Sequence, residues 1–296
     1  MAKTCVLPHR NTPLAVTKGT LATVFRSPNV SPTIDWLVIA RAPYGPRMKT
    51  LAFALAMTAL CVGAAVQPDT ARAGELPLTV VELFTSQGCS SCPPAEAYLG
   101  ELAKRPELLA LEQHVDYWDY IGWNDPFASP LATERQRHYT KHLGRGYVYT
   151  PQIVVDGISE TIGSDRPAVE RAIAQARSHV HPHVDIRVSA TSKGRLIIEL
   201  PANAASHMCD VFLIGFDPVH MTKVMRGENG GRTLDNYNVV RDFQRVGFWT
   251  GQAATIELPK LDADPNRAWA VIVQDTDAGP ILGAARITGD ALSLAR

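Results

Sequence analysis

Apolar and polar positions follow two different rhythms along this chain. Between about Leu76 and His181, short β-rich runs alternate with helical stripes. Thr79–Thr85 is the first β-rich run. In Pro93–Arg105, Ala95, Leu99, Leu102 and Ala103 share one helical stripe. Leu109–Val115 reads as a second strand and Pro130–Leu143 as a polar helix. Gln152–Val155 and Ile158–Ile162 are joined by Asp156-Gly157, a pair that favours a tight hairpin. Ser164 or Asp165 can cap a last helix, with Pro167 near its first turn and Val169, Ala172, Ile173 and Ala176 as its buried stripe. The resulting order is β-α-β-α-β-β-α.

Past a boundary near His181-Pro182 the period becomes that of strands. Val184, Ile186 and Val188 alternate, as do Leu196, Ile198 and Leu200, then Val211 and Leu213, Ile256 and Leu258, and Trp269, Val271 and Val273; Ile281–Ile287 closes the set. Residues 183–296 therefore read as a small all-β, sandwich-like domain. Within it, "RGENGGRTLDNYNVVRDF" from Arg226 to Phe243 is polar and glycine-rich and reads as a long loop; Arg226 and Arg232 are candidates for binding an anionic group.

The N-terminal region follows a different grammar. Arg47-Met48-Lys49 is basic, Leu51–Val66 is an apolar run shorter than the ~20 residues a bilayer needs, and Ala71-Arg72-Ala73 has the small-x-small form of a cleavage site. Residues 48–73 are expected to be a signal peptide, cut after Ala73, with residues 1–47 a non-native upstream extension or disordered. The mature chain is then periplasmic or secreted and keeps Cys89, Cys92 and Cys209. Composition agrees with an ordinary globular protein: 46% of 296 residues are apolar, and 29 basic residues balance 29 acidic ones, which gives no basic surface for nucleic acid. No stable membrane span is expected after signal cleavage.

Candidate chemistry centres on "GCSSCPP". Cys89 stands where a strand ends and a helix begins, and a helix N-terminus lowers a cysteine's pKa. The spacing leaves three roles open: a redox pair with Cys89 exposed and attacking and Cys92 resolving, a structural disulfide, or two ligands for Cu(I), which favours soft thiolates. A zinc site would want a second pair, and none is present. His138 and His142 have metal-compatible spacing on the polar helix but also suit a solvated face. Cys209 starts an apolar strand and suits burial; a copper role with His207 and Met208 is a distant alternative. No cofactor and no resident metal are expected.

Thr150-Pro151 directly precedes an apolar strand. With the element order and the C-x-x-C, it resembles the thioredoxin-like superfamily from about Leu76 to His181. That resemblance implies a cis-proline at Pro151 facing the cysteines, with Thr150 offering backbone groups to an extended thiol substrate. It also implies a buried acid in the first strand. Glu82 is the candidate, one residue farther from the first cysteine than usual, so its side chain either lies buried or points to solvent. Between strand and helix, "HVDYWDYIGWNDPFASP" carries Tyr117, Trp118, Tyr120, Trp123 and Phe127. Trp118 and Trp123 are taken as substrate-binding candidates, with packing at the inter-domain contact as the alternative. Together, "VELFTSQGCSSCPPAE", "HVDYWDYIGWNDPF", "YTPQIVVDG" and "RGENGGRTL" resemble a bacterial exported family catalogued as domain of unknown function 1223. The expectation is an α/β chain, a thioredoxin-like domain (76–181) followed by a β-sandwich-like domain (183–296). It would act as an exported thiol–disulfide oxidoreductase through Cys89, Cys92, Pro151 and Glu82, on a protein or small-molecule thiol or disulfide, with a further redox partner. The alternative is a non-catalytic module binding Cu(I) or a protein.

Overall fold

The structure, a computed structural model, describes residues 77–179, 183–191, 195–203, 208–259, 261 and 264–288. The expected leader (1–73), Cys5, Cys61, His207 and the boundary at His181-Pro182 lie outside the described residues. Among the described residues, no helix is long and apolar enough to cross a membrane.

The first elements are β1 (Thr79–Thr85), α1 (Pro93–Leu102), β2 (Leu108–His114), α2 (Pro130–His142), β3 (Gln152–Val155), β4 (Ser159–Ile162) and α3 (Arg166–Ser178). β1 pairs parallel with β2 and antiparallel with β3. Local chemistry sets the boundaries. Pro93 and Pro94 open α1, where backbone N–H groups have no helical acceptor to lose. Ser129 accepts a hydrogen bond from the Leu131 amide to start α2, and Asp165 accepts one from Ala168 to start α3. Asp156 and Gly157 both take positive φ in the β3–β4 turn. The α3 stripe of Val169, Ala172, Ile173 and Ala176 is buried, as its spacing requires.

Strands β5 (Arg187–Ala190), β6 (Leu196–Leu200), β7 (Cys209–Lys223), β8 (Thr233–Trp249), β9 (Ala254–Glu257), β10 (Ala268–Asp275) and β11 (Ile281–Ile287) follow. Here the architecture departs from the two-domain expectation. β8 pairs parallel with β2, so one eight-stranded sheet runs β11-β10-β7-β8-β2-β1-β3-β4 through both halves of the chain. The described residues all fall within one compact unit. Among the described residues, β5, β6 and β9 make a separate sheet. A sandwich core does exist between that sheet and β7, β10 and β11, lined by Ile198, Val211, Leu213, Trp249 and Val271. But β7 and β10 also bury their opposite face: Ile214, Phe216, Ala270 and Ile272 pack against Val80, Leu109 and Leu111. α1 and α3 cover the far side of β1, β2 and β3. The reason is visible in the strands themselves. β10 reads AWAVIVQD, apolar on both faces, which suits an internal strand better than the face of an isolated sandwich.

The expected loop at 226–243 is also mostly strand, since β8 begins at Thr233. Its polar residues are satisfied by other buried polar groups. Asn236 is fully buried, donates to Glu112 and accepts from Gln87. No hydrophobic period marks such a strand.

Candidate functional site

Cys89 and Cys92 form a disulfide, with Cα atoms 5.5 Å apart, at the junction of β1 and α1. Ser86 O accepts from the Cys89 amide and Cys89 O from the Cys92 amide, which folds the segment into consecutive turns that deliver Cys92 to the helix N-cap. The Cys89 Sγ lies 3.3 Å from the Ser91 hydroxyl oxygen.

The expectation of an exposed Cys89 is overturned: Cys89 is 1% exposed and Cys92 is fully buried. A turn between β7 and β8 covers them. The Asn229 side-chain amide donates to the carbonyls of both Gln87 (3.0 Å) and Cys89 (2.9 Å). Arg232 holds Asn229 from behind at 2.8 Å, and Glu228 accepts from the Ser90 amide at 3.2 Å. Gly227, at φ 76°, sits so close to Trp123 that an added Cβ would stand 3.2 Å from that residue's Cβ. Arg232, expected as an anion binder, therefore supports this cover.

The aromatic segment closes the same end of the sheet. Trp118 Nε1 donates to the Thr150 hydroxyl at 2.8 Å, and Trp123 Nε1 donates to Gln87 Oε1 at 3.1 Å. The Thr150-Pro151 bond is cis. Because Gln152 lies opposite Phe84 in the β1–β3 register, Pro151 falls at the end of β1 from which the cysteines emerge. A Cβ at Gly163 would stand 3.4 Å from Pro151 and 3.1 Å from Ala95 of α1, so proline, glycine and helix meet there. Thr150, Pro151, Trp118 and Trp123 thus share one end of the fold with the disulfide.

Glu82 stands apart from them. It is buried, but Arg135 grips it with two bonds of 2.7 and 2.8 Å, and Tyr139 (2.5 Å) and Gln113 (3.1 Å) also donate to it. Burial alone would raise its pKa; the Arg135 guanidinium, helped by these donors, outweighs burial and holds the carboxyl below its usual range. Glu82 is a clamped anion joining β1 to α2, which makes it unsuited to the proton-transfer role expected of it.

The acid with the right environment is Glu96. It is 1% exposed and follows Cys92 by one helical turn, its amide donating to the Cys92 carbonyl. Thr85 donates to its Oε1 at 2.7 Å, while Oε2 has no hydrogen-bond partner among the described residues. Burial, reinforced by the nearby Glu112 carboxylate, pushes its pKa up to about 8. Glu96 therefore carries a proton at neutral pH. An acid on a helix face at a buried position was the signal available in the sequence. It is masked by the apolar stripe of α1, in which Ala95 and Leu99 account for the buried face without it.

A wider polar cluster lies beneath. His114 Nδ1 is 2.7 Å from Asp125 and its Nε2 is 3.2 Å from Glu112. Burial alone would drive the imidazole neutral; the Asp125 and Glu112 carboxylates outweigh it and hold it protonated well above its usual range. The same Asp125 oxygen accepts from the Gln87 amide at 2.8 Å, which ties this cluster to the turn carrying Cys89. Among the described residues, no group of His, Cys, Asp and Glu is arranged to hold a metal ion. His138 lies on an exposed helix face, 3.9 Å from Glu134. Cys209 is buried in the sandwich core, and burial pushes its thiol up to about 11.

Fold and site together define a mixed α/β protein with a sheet-dominated core and a covered C-x-x-C disulfide at the end of its first strand. Residues 80–274 match the family described as protein of unknown function DUF1223, and the chain belongs to that family. It is similar to the crystal structure of protein AGR_C_4864 from Agrobacterium tumefaciens, at 32% identity over 74% of this chain and 97% of that one, with a TM-score of 0.62. No curated protein matches it.

Proposed function

We propose that this protein is an exported thiol–disulfide oxidoreductase built on a thioredoxin-like scaffold, with Cys89 and Cys92 as its redox couple. The observation that carries the proposal is the Cys89–Cys92 disulfide at the start of α1, one helical turn from the buried Glu96, whose Oε2 has no hydrogen-bond partner among the described residues. The β-α-β-α-β-β-α order, with Pro151 at the same end of the sheet, supports the scaffold.

The chemistry balances as follows. The turn carrying Asn229 first moves off Cys89, which is 1% exposed beneath it; a substrate thiolate then attacks the Cys89 sulfur, the Cys89–Cys92 bond breaks, a mixed disulfide forms, and Cys92 leaves as a thiolate. That thiolate takes a proton from the Glu96 side, whose pKa of about 8 lies close to the ~8.5 of an ordinary thiol, so the transfer is nearly level in energy. A second substrate thiolate then releases Cys89, and the substrate has lost two electrons to the protein. Run backwards, Cys89 attacks a substrate disulfide and Cys92 resolves it. Trp118, Trp123 and Thr150, at the same end of the fold, are the residues such a substrate would meet.

The test is thiol exchange. Wild type should reduce or reshuffle a disulfide substrate in a glutathione buffer, Cys89→Ser should not, and Cys92→Ser should trap a mixed disulfide seen by mass spectrometry. Absence of exchange in wild type under every buffer would end the proposal. One observation favours a second reading: the near-complete burial of both sulfurs suits a permanent structural bridge. That reading requires the disulfide to survive mild reductant in the folded protein.

A further inference from the structure

A cavity of about 230 Å³ opens between the start of α2 and the middle of β8, with His114 in its wall. Phe127, Ala128, Leu131, Arg135, Arg241 and Phe243 line it. The thiol chemistry proposed above makes no use of it.

Its two guanidinium groups are placed as a receptor would place them. Arg135 is 9% exposed; its Nε and Nη2 are spent on Glu82 and Tyr139, and its Nη1 makes no hydrogen bond among the described residues. The guanidinium carbon lies 4.3 Å from the centre of the Phe243 ring, so its plane is fixed by stacking. Arg241 stacks in the same way on Phe127 at 5.1 Å. Its nearest carboxylate is Asp217 at 3.8 Å, too long for a hydrogen bond, and Asp217 is already engaged by Arg267 at 3.0 Å and His220 at 2.8 Å. Among the described residues, both arginines thus keep donors without a hydrogen-bond acceptor, Arg241 having only the long ion pair to Asp217. Ser129, the N-cap of α2, also lines the cavity, which adds the positive end of that helix. The rest of the lining is mixed: Phe127, Leu131 and Phe243 offer apolar contact, while Gln113 and His114 add polar groups.

We infer that this cavity is a binding site for a small organic anion: a carboxylate held by Arg135 and Arg241, carried on an apolar body of about one ring seated against Phe127 and Phe243. The size agrees, since a dry apolar cavity of about 150 Å³ takes up benzene, and the volume here leaves room for an attached carboxylate. The site rests on none of the chemistry assigned to the cysteines.

Benzoate is the probe, titrated into the full chain with isothermal calorimetry and with NMR shifts of the cavity residues. Saturable binding is expected, with benzyl alcohol at least about tenfold weaker because it lacks the charge that a guanidinium fork recognises. Arg241→Gln, on a partly exposed side chain, should weaken benzoate by a similar factor, and Ala128→Leu should abolish binding by filling the space; both variants should keep the wild-type circular dichroism spectrum. The inference is overturned if benzoate does not saturate, if benzyl alcohol binds equally well, or if folded Arg241→Gln and Ala128→Leu bind as wild type does.

Discussion

Replacing Glu96 with glutamine should remove one defined component from the pH dependence of stability. In the folded protein the Glu96 carboxyl has a pKa of about 8, raised by burial and by Glu112, against an ordinary value of 4.5. Between those two pH values the folded state holds a proton that the unfolded chain has released. Stability contributed by this group is therefore fully present below about pH 4.5 and falls as pH rises towards 8. One unbalanced proton gives a slope of about 1.4 kcal/mol per pH unit, so the full interval sets a ceiling of about 5 kcal/mol. Denatured-state structure and relaxation around the charge would reduce that figure. Glutamine is uncharged at every pH and its carbonyl can still accept from Thr85. The assay is urea unfolding of both proteins, disulfide intact, from about pH 5 to pH 9. Wild type should lose stability relative to Glu96→Gln across this range, and the variant should be the more stable protein at the alkaline end. His114 and Asp125 are present in both proteins and cancel to first order in the difference. A wild-type-minus-variant difference that does not change with pH would refute the protonated buried acid.

Other consequences are as direct. Arg135→Met should cost about 3–5 kcal/mol by stranding the buried Glu82 carboxylate, and the double variant Glu82→Met with Arg135→Met should recover much of it; thermal melts of the single and double variants check this. Gly100→Ala should destabilise by about 1–3 kcal/mol in urea despite alanine's better helix propensity, because the new methyl would stand 2.6 Å from the Tyr237 ring. Asn229→Ala removes two hydrogen bonds to the carbonyls flanking the disulfide turn, and should raise the rate at which dithiothreitol opens Cys89–Cys92, read by alkylation and mass spectrometry; an unchanged rate would show that Asn229 does not guard the bond.

Much of the first half was legible along the chain. The hairpin turn at Asp156-Gly157, the cap at Asp165, the stripe of α3 and the helix starting at Pro93 are local matters of backbone preference and amphipathic period, and they appear where those rules put them. The C-x-x-C at a strand-to-helix junction is equally local. The role of a buried carboxylate is not, because it depends on which partners arrive from elsewhere. Glu82 and Glu96 are both acids in apolar surroundings; Arg135 from α2 makes one a permanent anion, while Thr85, Glu112 and burial make the other a proton carrier.

Local pattern along the chain set the strands and helices of the first half, the position of the cysteine pair and the apolar faces that had to be covered. Tertiary structure decided what covered them. β8 carries the buried Asn236, whose partners Glu112 and Gln87 lie on distant segments, so its pairing with β2 could not be read from any period. That pairing merges two apparent domains into one sheet and brings Asn229 onto the disulfide. Short-range preferences are encoded residue by residue, whereas buried polar contacts acquire their meaning only when residues more than a hundred positions apart meet in a space without water to satisfy them.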